Sequence, residues 1–450
     1  MIDEERDQEV SLSRRTFLGA AAAAGVALAA CAGGEETKVI KLGEQMVPGP
    51  KIAPDGPVIK AGLIGCGGRG TGAAGNFLDA GPNLQVVALA DVFDDRVQDC
   101  RGKLNERYGT EVADDRCYVG FDAYQQLIDS DVDYIIIATP PSFRPAQFKA
   151  AVEARKNIFM EKPLAVDPVG ARSIFESAEK AEAFGLKIAT GTQRRHERQY
   201  IETFNRVMDG AIGEIVAARC YWNQSQLWYK EREAGWTDME WMIRDWVNWC
   251  WLSGDHIVEQ HIHNIDVINW FTNSHPVKAV GMGGRHRRVT GDQYDSFSVD
   301  YEMENGVHVL SMCRQVDGCA NNVSEFVVGT NGSSNCKDTI YGPDGEVVWT
   351  FVPEEQPVEG EEYDSGPNSP YVQEHIDLVT AIRTDQPINE ARNTAISTLT
   401  AIMGRVSAYT GQEVTWDEMM TSEMSLGPSE YKMEDIGIEA VVPVPGAAKT

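Results

Sequence analysis

The sequence predicts an α/β fold: a doubly wound parallel sheet, followed by a second α/β domain with a large open, mostly antiparallel sheet. Two observations favour this arrangement. Between residues 58 and 193, short apolar segments alternate with segments of helical periodicity. Beyond residue 193, apolar residues alternate singly with polar ones, as in strands that bury one face. With 450 residues and 42% hydrophobic content, the chain is long enough for two such domains.

The first predicted domain spans residues 58–193. Each of its apolar segments leads into a helical one, which is typical of strands joined by crossover helices in a parallel sheet. The predicted strands are 58–64, 85–90, 134–138, 157–160 and 187–190, and the predicted helices are 71–78, 94–108, 145–155 and 168–184.

The second predicted domain spans residues 194–430. It begins with a helix near residues 200–208, whose apolar side chains share one face. Within residues 297–312, two alternating segments flank Asn305-Gly306, a pair that favours a tight turn and therefore an antiparallel hairpin. The remaining predictions are a loop at 353–370, helices at 371–383 and 391–409, and a tail at 431–450.

The N-terminus, residues 1–31, resembles a twin-arginine export signal, because Arg14-Arg15 precedes a short Ala-rich apolar stretch. That stretch is too short to span a bilayer comfortably. It ends in Leu-Ala-Ala-Cys31, which is similar to a lipoprotein processing box, so Cys31 would carry a lipid anchor; plain cleavage nearby is the alternative. We therefore expect a periplasmic or cell-envelope lipoprotein that touches the membrane only through this anchor. Residues 32–57 would form a linker.

The chain is strongly acidic, with a formal net charge of -28 from 68 acidic and 40 basic residues. A surface of this sign repels phosphate backbones, so we expect no nucleic-acid partner. Net charge does not indicate the fold. Local motifs are the evidence for function.

A glycine-rich loop, Gly65-Cys66-Gly67-Gly68-Arg69-Gly70, connects the first predicted strand to the first predicted helix. In the pattern GxGxxG the first glycine makes the turn, the second admits a pyrophosphate, and the third lets the helix pack on the sheet. Asp91 ends the second strand, where a carboxylate accepts hydrogen bonds from an adenosine ribose. The pattern predicts a Rossmann domain that binds NAD. NADP is less favoured, because Asp91 would repel its 2′-phosphate.

Glu161-Lys162-Pro163 follows the predicted strand 157–160, at the sheet edge where ligands bind in this architecture. A lysine there can donate to a substrate hydroxyl or a cofactor ribose. Its position alone is equally consistent with a surface lysine at a strand end.

The glycine loop, Asp91, Ala138-Thr139-Pro140 and Glu161-Lys162-Pro163 together resemble the Gfo/Idh/MocA oxidoreductase superfamily, from about residue 58 to about residue 332. The resemblance implies a Rossmann domain, an open-sheet α/β domain and a homo-oligomer. It also implies a site between the domains, where the nicotinamide meets a sugar or polyol. The cofactor-binding residues it implies are Gly65, Gly67, Gly68, Arg69, Gly70, Asp91, Thr139, Pro140, Glu161 and Lys162.

The superfamily's catalytic lysine falls on Lys162, and its acidic residue with a histidine four positions later falls on Glu259 and His263. On one helix these last two share a face. Hydride leaves a carbinol carbon only if a base removes the hydroxyl proton, and imidazole titrates near neutrality, so His263 is the predicted base. Lys162 would favour the developing alkoxide, and Glu259 would orient the sugar or His263. The superfamily often has Asp at the position of Glu259, which leaves the detailed role of Glu259 open.

Two further histidines, His256 and His261, lie in the same segment. A buried structural role is favoured for both, with His256 kept as a candidate substrate contact. His256, Glu259 and His263 could also form a facial set of metal ligands. The superfamily site uses no metal and no further ligand is evident, so we predict no metal.

Seven of the ten tryptophans lie between residues 222 and 251, just before this segment. Indole rings stack on the apolar faces of sugars, but they also fill cores, and a core role is favoured for most of them. Trp246 is kept as a candidate substrate contact, together with Tyr294 and Arg314 near the two ends of the predicted hairpin.

These residues predict an NAD-dependent oxidoreductase acting on a sugar, glycoside or polyol hydroxyl. No NAD supply is expected outside the cytoplasm, so the predicted export requires a tightly bound cofactor that is recycled internally. If the hydride returns to the same substrate, the enzyme is instead an NAD-dependent glycosidase, which oxidises, eliminates, hydrates and reduces without net redox change. A third possibility is a lipoprotein that binds nucleotide or sugar without catalysis.

Overall fold

The structure is a computed structural model that describes residues 46–353 and 369–447. Its first part contains β1 (Ile59–Ile64), α1 (Gly68–Asp79), β2 (Leu84–Asp91), α2 (Asp94–Tyr108), β3 (Cys117–Val119), α3 (Ala123–Ile128), β4 (Tyr134–Ile137), α4 (Arg144–Glu153), β5 (Asn157–Met160), α5 (Pro168–Ala183) and β6 (Ile188–Thr190).

The second part begins with a short 3-10 helix, Gln193–His196. It continues with α6 (Arg198–Met208), β7 (Ile215–Gln224), α7 (Asp238–Arg244), α8 (Cys250–Ser253), α9 (His256–Glu259), α10 (Ile262–Thr272), β8 (Pro276–Gly284), β9 (Ser296–Met303), β10 (His308–Gln315), β11 (Asn322–Gly329), β12 (Gly332–Ser334), β13 (Thr339–Tyr341), β14 (Val347–Thr350), α11 (Pro370–Thr384), α12 (Ala391–Thr410), β15 (Val414–Thr415) and α13 (Trp416–Thr421).

Six parallel strands form the first sheet, in the order β3-β2-β1-β4-β5-β6, which confirms the predicted doubly wound architecture. β4 is buried along its whole length, as expected for a parallel strand covered on both faces. Ile64 pairs with Ala90 on one side and with Ile137 on the other, so the carboxyl ends of these strands meet at one edge. The sequence missed β3, because three residues are too few to show an apolar period.

Nine strands form the second sheet, in the order β14-β13-β12-β11-β7-β10-β9-β8-β15. Within the described residues, β7 and β10 are the one parallel pair of this sheet; its other pairs are antiparallel, as predicted. The hairpin at Asn305-Gly306 is confirmed, since β9 and β10 pair with Val309 opposite Tyr301. Helices α10 and α12 pack on one face of this sheet. The opposite face carries the exposed side chains of Val280, Met282, Leu310 and Met312.

Helix α11 packs on the first domain, although the sequence analysis places it in the second. The sequence assigns all of residues 194–430 to the second domain. In the structure α11 packs on α1 of the first domain, and its Val372 and Ile376 share a core with Phe77. The chain then adds to the edge of the parallel sheet, because Ile188 donates its N–H to the carbonyl of Ile388 at 2.9 Å. The first domain is therefore built from two separate stretches of chain.

Both segments predicted as linker and tail lie against the folded body where the structure describes them. Ala53 is buried and donates its N–H to the Ala80 carbonyl at 2.9 Å. Near the other end, the Tyr294 hydroxyl donates to the Pro443 carbonyl at 2.9 Å. The predicted signal, Cys31 and the first part of the linker lie outside the described residues. Within residues 46–353 and 369–447, no helix has the length and apolar character needed to cross a bilayer.

Breaking the buried ion pair between Arg195 and Asp266 should destabilise the protein. Arg195 bonds both carboxylate oxygens of Asp266, at 2.8 and 3.0 Å, and joins the start of the second part to α10. We expect Asp266→Ala to lower the free energy of unfolding by about 3 to 5 kcal/mol, because it strands a buried charge. Asp99→Ala, which breaks an exposed pair with Lys103, should cost about 0.5 kcal/mol or less. Equal urea midpoints for the two variants would contradict this account.

Candidate active site at the carboxyl edge of the parallel sheet

The glycine loop is compact enough that side chains are excluded at two of its glycines. Gly65 has a φ of +97°, and a Cβ there would lie 2.7 Å from the carbonyl carbon of Ala138. A Cβ on Gly70 would lie 1.8 Å from the carbonyl oxygen of Gly65. The N-cap residue of α1, Gly67, has no side chain to accept from the first-turn N–H groups. The loop thus has the small residues and the amide donors that a dinucleotide phosphate requires.

Asp91 lies directly beside this loop. Its carboxylate accepts hydrogen bonds from the N–H groups of Cys66 at 2.7 Å and Phe93 at 3.0 Å. Burial raises the pKa of Asp91, and these N–H groups together with the charge of Arg96 oppose that shift. Arg96, which the sequence reasoning missed, also approaches the loop: a Cβ on Gly67 would lie 3.0 Å from its Nη1. The arrangement fits a dinucleotide whose ribose lies at the end of β2.

Arg69 and Glu161, both predicted to contact the cofactor, bind each other. Arg69 Nε donates to Glu161 at 2.5 Å and Nη1 donates to Asn76 at 3.0 Å. Burial alone would raise the pKa of Glu161, but the charges of Arg69, Lys162 and Arg144 hold it below its usual value. Glu161 is therefore a buried counter-ion that ties β5 to the glycine loop.

The predicted contact Thr139 begins the loop after β4, with Pro140 next to it. The Thr139 hydroxyl donates to Gln147 at 2.6 Å, and its carbonyl accepts from Arg144 at 2.9 Å. Arg144 also donates to the carbonyls of Glu161 and Pro163. Burial lowers the pKa of Arg144 to about 10, so it stays cationic at neutral pH. This arginine, which sequence reasoning missed, holds the loops after β4 and β5 together around Lys162.

Lys162 and Glu259 meet between the two parts of the chain. Lys162 Nζ donates to the Glu259 carboxylate at 3.1 Å and to the Glu259 carbonyl at 2.7 Å. Both side chains are largely buried, with relative exposures of 11% and 8%. Gln260 donates to the second carboxylate oxygen. Two of the three predicted catalytic residues are thus in direct contact.

Glu259 and His263 do not lie on one continuous helix, which corrects the sequence prediction. Helix α9 ends at Glu259 and α10 begins at Ile262. Between them, the N–H of His261 bonds the carbonyl of His256 and the N–H of His263 bonds that of Gln260, so the regular i to i−4 pattern is interrupted. The two residues therefore come from consecutive short helices rather than from one helical face.

His263 is buried beside an indole ring. Its imidazole stacks on Trp222 of β7, with ring centroids 5.5 Å apart and an interplanar angle of 24°. Burial lowers the pKa of His263 well below 6.5, and the positive charges of Lys162 and Arg194 lower it further. The imidazole is therefore neutral at physiological pH, which is the state that can accept a proton.

A buried carboxylate supports this side of the site. Glu325 of β11 accepts hydrogen bonds from Arg194, from Tyr200 at 3.2 Å and from Asn264 at 2.5 Å. Burial raises the pKa of Glu325, and the Arg194 charge opposes that shift. Sequence reasoning missed both Arg194 and Glu325. The run Gln193-Arg194-Arg195, three residues after the end of β6, was the available signal for Arg194.

Two predicted substrate contacts lie elsewhere and need correction. Tyr294 is 1% exposed, its N–H donates to Asp255, and its ring packs on Phe297. Arg314 alternates with Cys313 and Gln315, which face the core, and its guanidinium donates to the Ala320 carbonyl on the open side of the sheet. Because side chains alternate along a strand, Arg314 points away from the helices that carry the site.

His256 and Trp246, the other two predicted substrate contacts, pack against side chains of the protein itself. The His256 ring packs against Phe297, and its Nδ1 lies 2.9 Å from the Asp255 carboxylate, so it has a structural role. Trp246 packs edge-on against Trp228 and borders a cluster around Phe93. Within the described residues, no group of three or more His, Cys, Asp or Glu side chains has a metal-binding arrangement.

Two family models match the chain. Residues 59–187 match an oxidoreductase family with an NAD-binding Rossmann fold, and residues 201–335 match the GFO/IDH/MocA C-terminal domain. Together they cover more than half of the chain. The first domain is therefore an NAD-binding Rossmann domain, as predicted.

Curated relatives include enzymes acting on polyols and glycosides. The inositol 2-dehydrogenase of Salmonella typhimurium is 28% identical over 218 residues, which are 48% of this chain and 55% of that protein. Glycosyl hydrolase family 109 protein 1 of Bacteroides fragilis is 27% identical over 234 residues, covering 47% of this chain and 49% of that protein. The chain thus spans about half the length of these relatives.

A solved structure shares the fold. Scyllo-inositol dehydrogenase from Lactobacillus casei, with bound NAD(H) and scyllo-inositol, superposes with a TM-score of 0.58 at 20% identity. The match covers 80% of this chain and 99% of that chain. It confirms the predicted combination of a parallel Rossmann sheet and a second, open sheet.

A side chain at Gly70 should distort the glycine loop and weaken dinucleotide binding. Gly70→Ala places a Cβ 1.8 Å from the Gly65 carbonyl oxygen, so the loop must open. We expect the affinity for NAD, measured by calorimetry, to fall by at least about tenfold. Gly72→Ala is the matched control in the same helix, since its Cβ would meet only Arg69, at 3.6 Å. Similar NAD affinities for the two variants would show that the loop does not hold the pyrophosphate.

Proposed function

Because this chain belongs to the Gfo/Idh/MocA oxidoreductase family, we propose that it is an NAD-dependent oxidoreductase acting on a hydroxyl of a sugar, glycoside or polyol. One observation carries the proposal. Lys162 contacts Glu259 at the sheet edge that holds the glycine loop, and a neutral His263, whose pKa Lys162 helps to lower, follows on the next helix. This set provides a cation, its counter-ion and a base beside a dinucleotide site.

Each of the three residues has a distinct role. Bound NAD supplies the acceptor for the hydride. The neutral imidazole of His263 takes the hydroxyl proton, and Trp222 fixes the plane of that ring. The ammonium group of Lys162 donates to the same substrate oxygen and stabilises the negative charge that develops there. Glu259 holds Lys162 in place, because both its carboxylate and its backbone carbonyl accept hydrogen bonds from the ammonium group.

The cofactor is tightly bound and recycled without leaving the protein. This part of the proposal rests on the predicted export signal with its lipid anchor at Cys31, because a periplasmic enzyme has no NAD pool to draw on. A second carbohydrate or an external acceptor can reoxidise the bound cofactor.

The similarity to a family 109 glycosyl hydrolase favours a second candidate, an NAD-dependent glycosidase in which the hydride returns to the same substrate.

The protein is proposed to form a homo-oligomer and to be anchored in the periplasm by a lipid at Cys31. The exposed apolar side chains of Val280, Met282, Leu310 and Met312 on the open sheet support a homo-oligomer. Light scattering of the purified chain measures the oligomeric state. Mass spectrometry of the processed N-terminus tests the lipid anchor and the periplasmic location.

Released nucleotide and reaction products separate the candidate functions. Denaturing the purified protein should release close to one NAD or NADH per chain, identified by liquid chromatography. With aryl glycosides, formation of a ketosugar that requires an added acceptor indicates the oxidoreductase. Release of the aglycone without any acceptor indicates the glycosidase. Protein purified without nucleotide would contradict the trapped cofactor.

The pH dependence should identify His263 as the base. Because burial, Lys162 and Arg194 lower its pKa, we expect the acid limb of kcat/KM to lie below pH 6.5. Arg194→Gln removes one of these positive charges, so the limb should move upward; Arg206→Gln, whose guanidinium lies over Trp349, should leave it in place. His263→Asn should lower kcat by about 10² to 10⁴ while NAD still binds. Unchanged turnover in His263→Asn would show that His263 is not the base. No turnover in the wild-type chain, with NAD still bound, would favour the non-catalytic binding protein.

A further inference from the structure

Aromatic side chains follow three strands at the carboxyl edge of the parallel sheet. Phe93 comes after β2, Phe121 after β3, and Phe143 in the turn after β4. The N–H of Gly120 donates to the carbonyl of Asp91, the predicted ribose-binding residue, at 3.0 Å. Phe121 is the next residue in the chain. These rings therefore border the adenosine end of the dinucleotide site.

Two segments from the second part of the chain cover these rings. The first comprises residues 236–252, which contribute five tryptophans, and the second comprises residues 426–438 near the C-terminus. We call them together the cover. Their buried side chains form one apolar cluster with the ring of Phe93, bordered by Phe121 and Phe143. The members contributed by the cover are Met239, Met242, Ile243, Trp249, Trp251 and Leu252, flanked by Trp241, Trp246, Leu426, Ile436 and Ile438.

Tyr431 fills the space between the first domain and the tryptophans. Its ring lies 5.0 Å from that of Phe143, 5.8 Å from Phe121 and 6.4 Å from Trp251, measured between centroids. It stacks on the last two at interplanar angles of 27° and 22°. The hydrogen bond from Leu426 N–H to Asp167, at 2.8 Å, anchors the chain on one side of this ring.

The other side of the C-terminal segment is held by polar contacts. Asp435 accepts from the N–H of Asp238 at 2.9 Å and from Arg232 at 3.2 Å. Residues 426–438 are thus held on both sides of Tyr431, although they form no helix or strand.

A bidentate ion pair attaches the cover to the end of β2. Arg244 donates through two nitrogens to the two carboxylate oxygens of Asp95, each at 3.0 Å. Its guanidinium lies 3.9 Å from the ring centroid of Phe93 and 5.2 Å from that of Trp236. Asp95 lies in the first turn of α2, four residues after Asp91. Planar, bidentate pairing of this kind fixes orientation as well as distance.

We infer that the cover closes the adenosine side of the NAD site and sets how slowly the dinucleotide leaves, with the Arg244–Asp95 pair and Tyr431 as its two attachment points. The inference rests on the proposed function, because it assumes that NAD is the ligand of the glycine loop. It gives residues 236–252 and 426–438 a role in holding the cofactor. Opening the cover lets the adenosine end detach first.

Dissociation of radiolabelled NAD from the full-length chain tests the cover without any turnover. The protein is stripped of nucleotide, loaded with labelled NAD and chased with unlabelled NAD, and the bound label is followed by rapid filtration. We expect Arg244→Ala and Tyr431→Ser each to release NAD at least about tenfold faster than the wild type. Tyr431→Ser alters a side chain that is 36% exposed, which makes it the milder change for folding. Lys278→Ala is the matched control, since it removes an ion pair with Glu302 on the second sheet.

The outcomes separate the two proposals. A wild-type chain that binds no NAD overturns the proposed function and the cover with it. A wild-type chain that binds NAD, with both cover variants releasing it at the wild-type rate, overturns the cover alone. Acceleration in Lys278→Ala equal to that in Arg244→Ala also overturns it, because the effect would then reflect general destabilisation.

Discussion

The site depends on the rule that a buried charge needs a partner. Lys162 is held by Glu259, Arg194 by Glu325 and Arg69 by Glu161. In each pair the two residues are distant in sequence. The first pair joins the loop after β5 of the parallel sheet to α9 of the second part, and the second pair joins the start of the second part to β11. An unpaired member would cost several kcal/mol. The active geometry therefore exists only when both parts of the chain are folded and in contact.

Local patterns were sufficient to predict most of the fold. The bounds of α2 and β5 match the sequence prediction residue for residue, because helix caps and short apolar runs are local signals. The glycine loop and Asp91 were predicted for the same reason: their roles follow from a spacing within one strand–helix–strand unit. Lys162 and Glu259 required the family resemblance, since nothing local relates residues 97 positions apart.

The missed features depend on long-range packing. Glu325 reaches Arg194 across 131 residues of sequence, which no periodicity can indicate. Arg314 was misassigned because the side of a strand that faces the core depends on its register with neighbouring strands. The break between α9 and α10 arises from backbone bonds at His261 and His263, and the apolar pattern there continues without interruption. The tryptophans divide between two roles: Trp222 supports His263, whereas Trp249 and Trp251 belong to the cover.

The return of α11 to the first domain affects how the protein must be made. The core around Phe77 lacks Val372 and Ile376 until those residues are synthesised, and the sheet edge at Ile188 lacks its last neighbour until residue 388. The nucleotide-binding half therefore cannot finish folding on the ribosome ahead of the rest, as an N-terminal domain usually does. The first-domain core around Phe77 and the sheet edge at Ile188 therefore stay incomplete through most of translation. Binding of the cofactor to the complete site therefore follows the synthesis of residue 388.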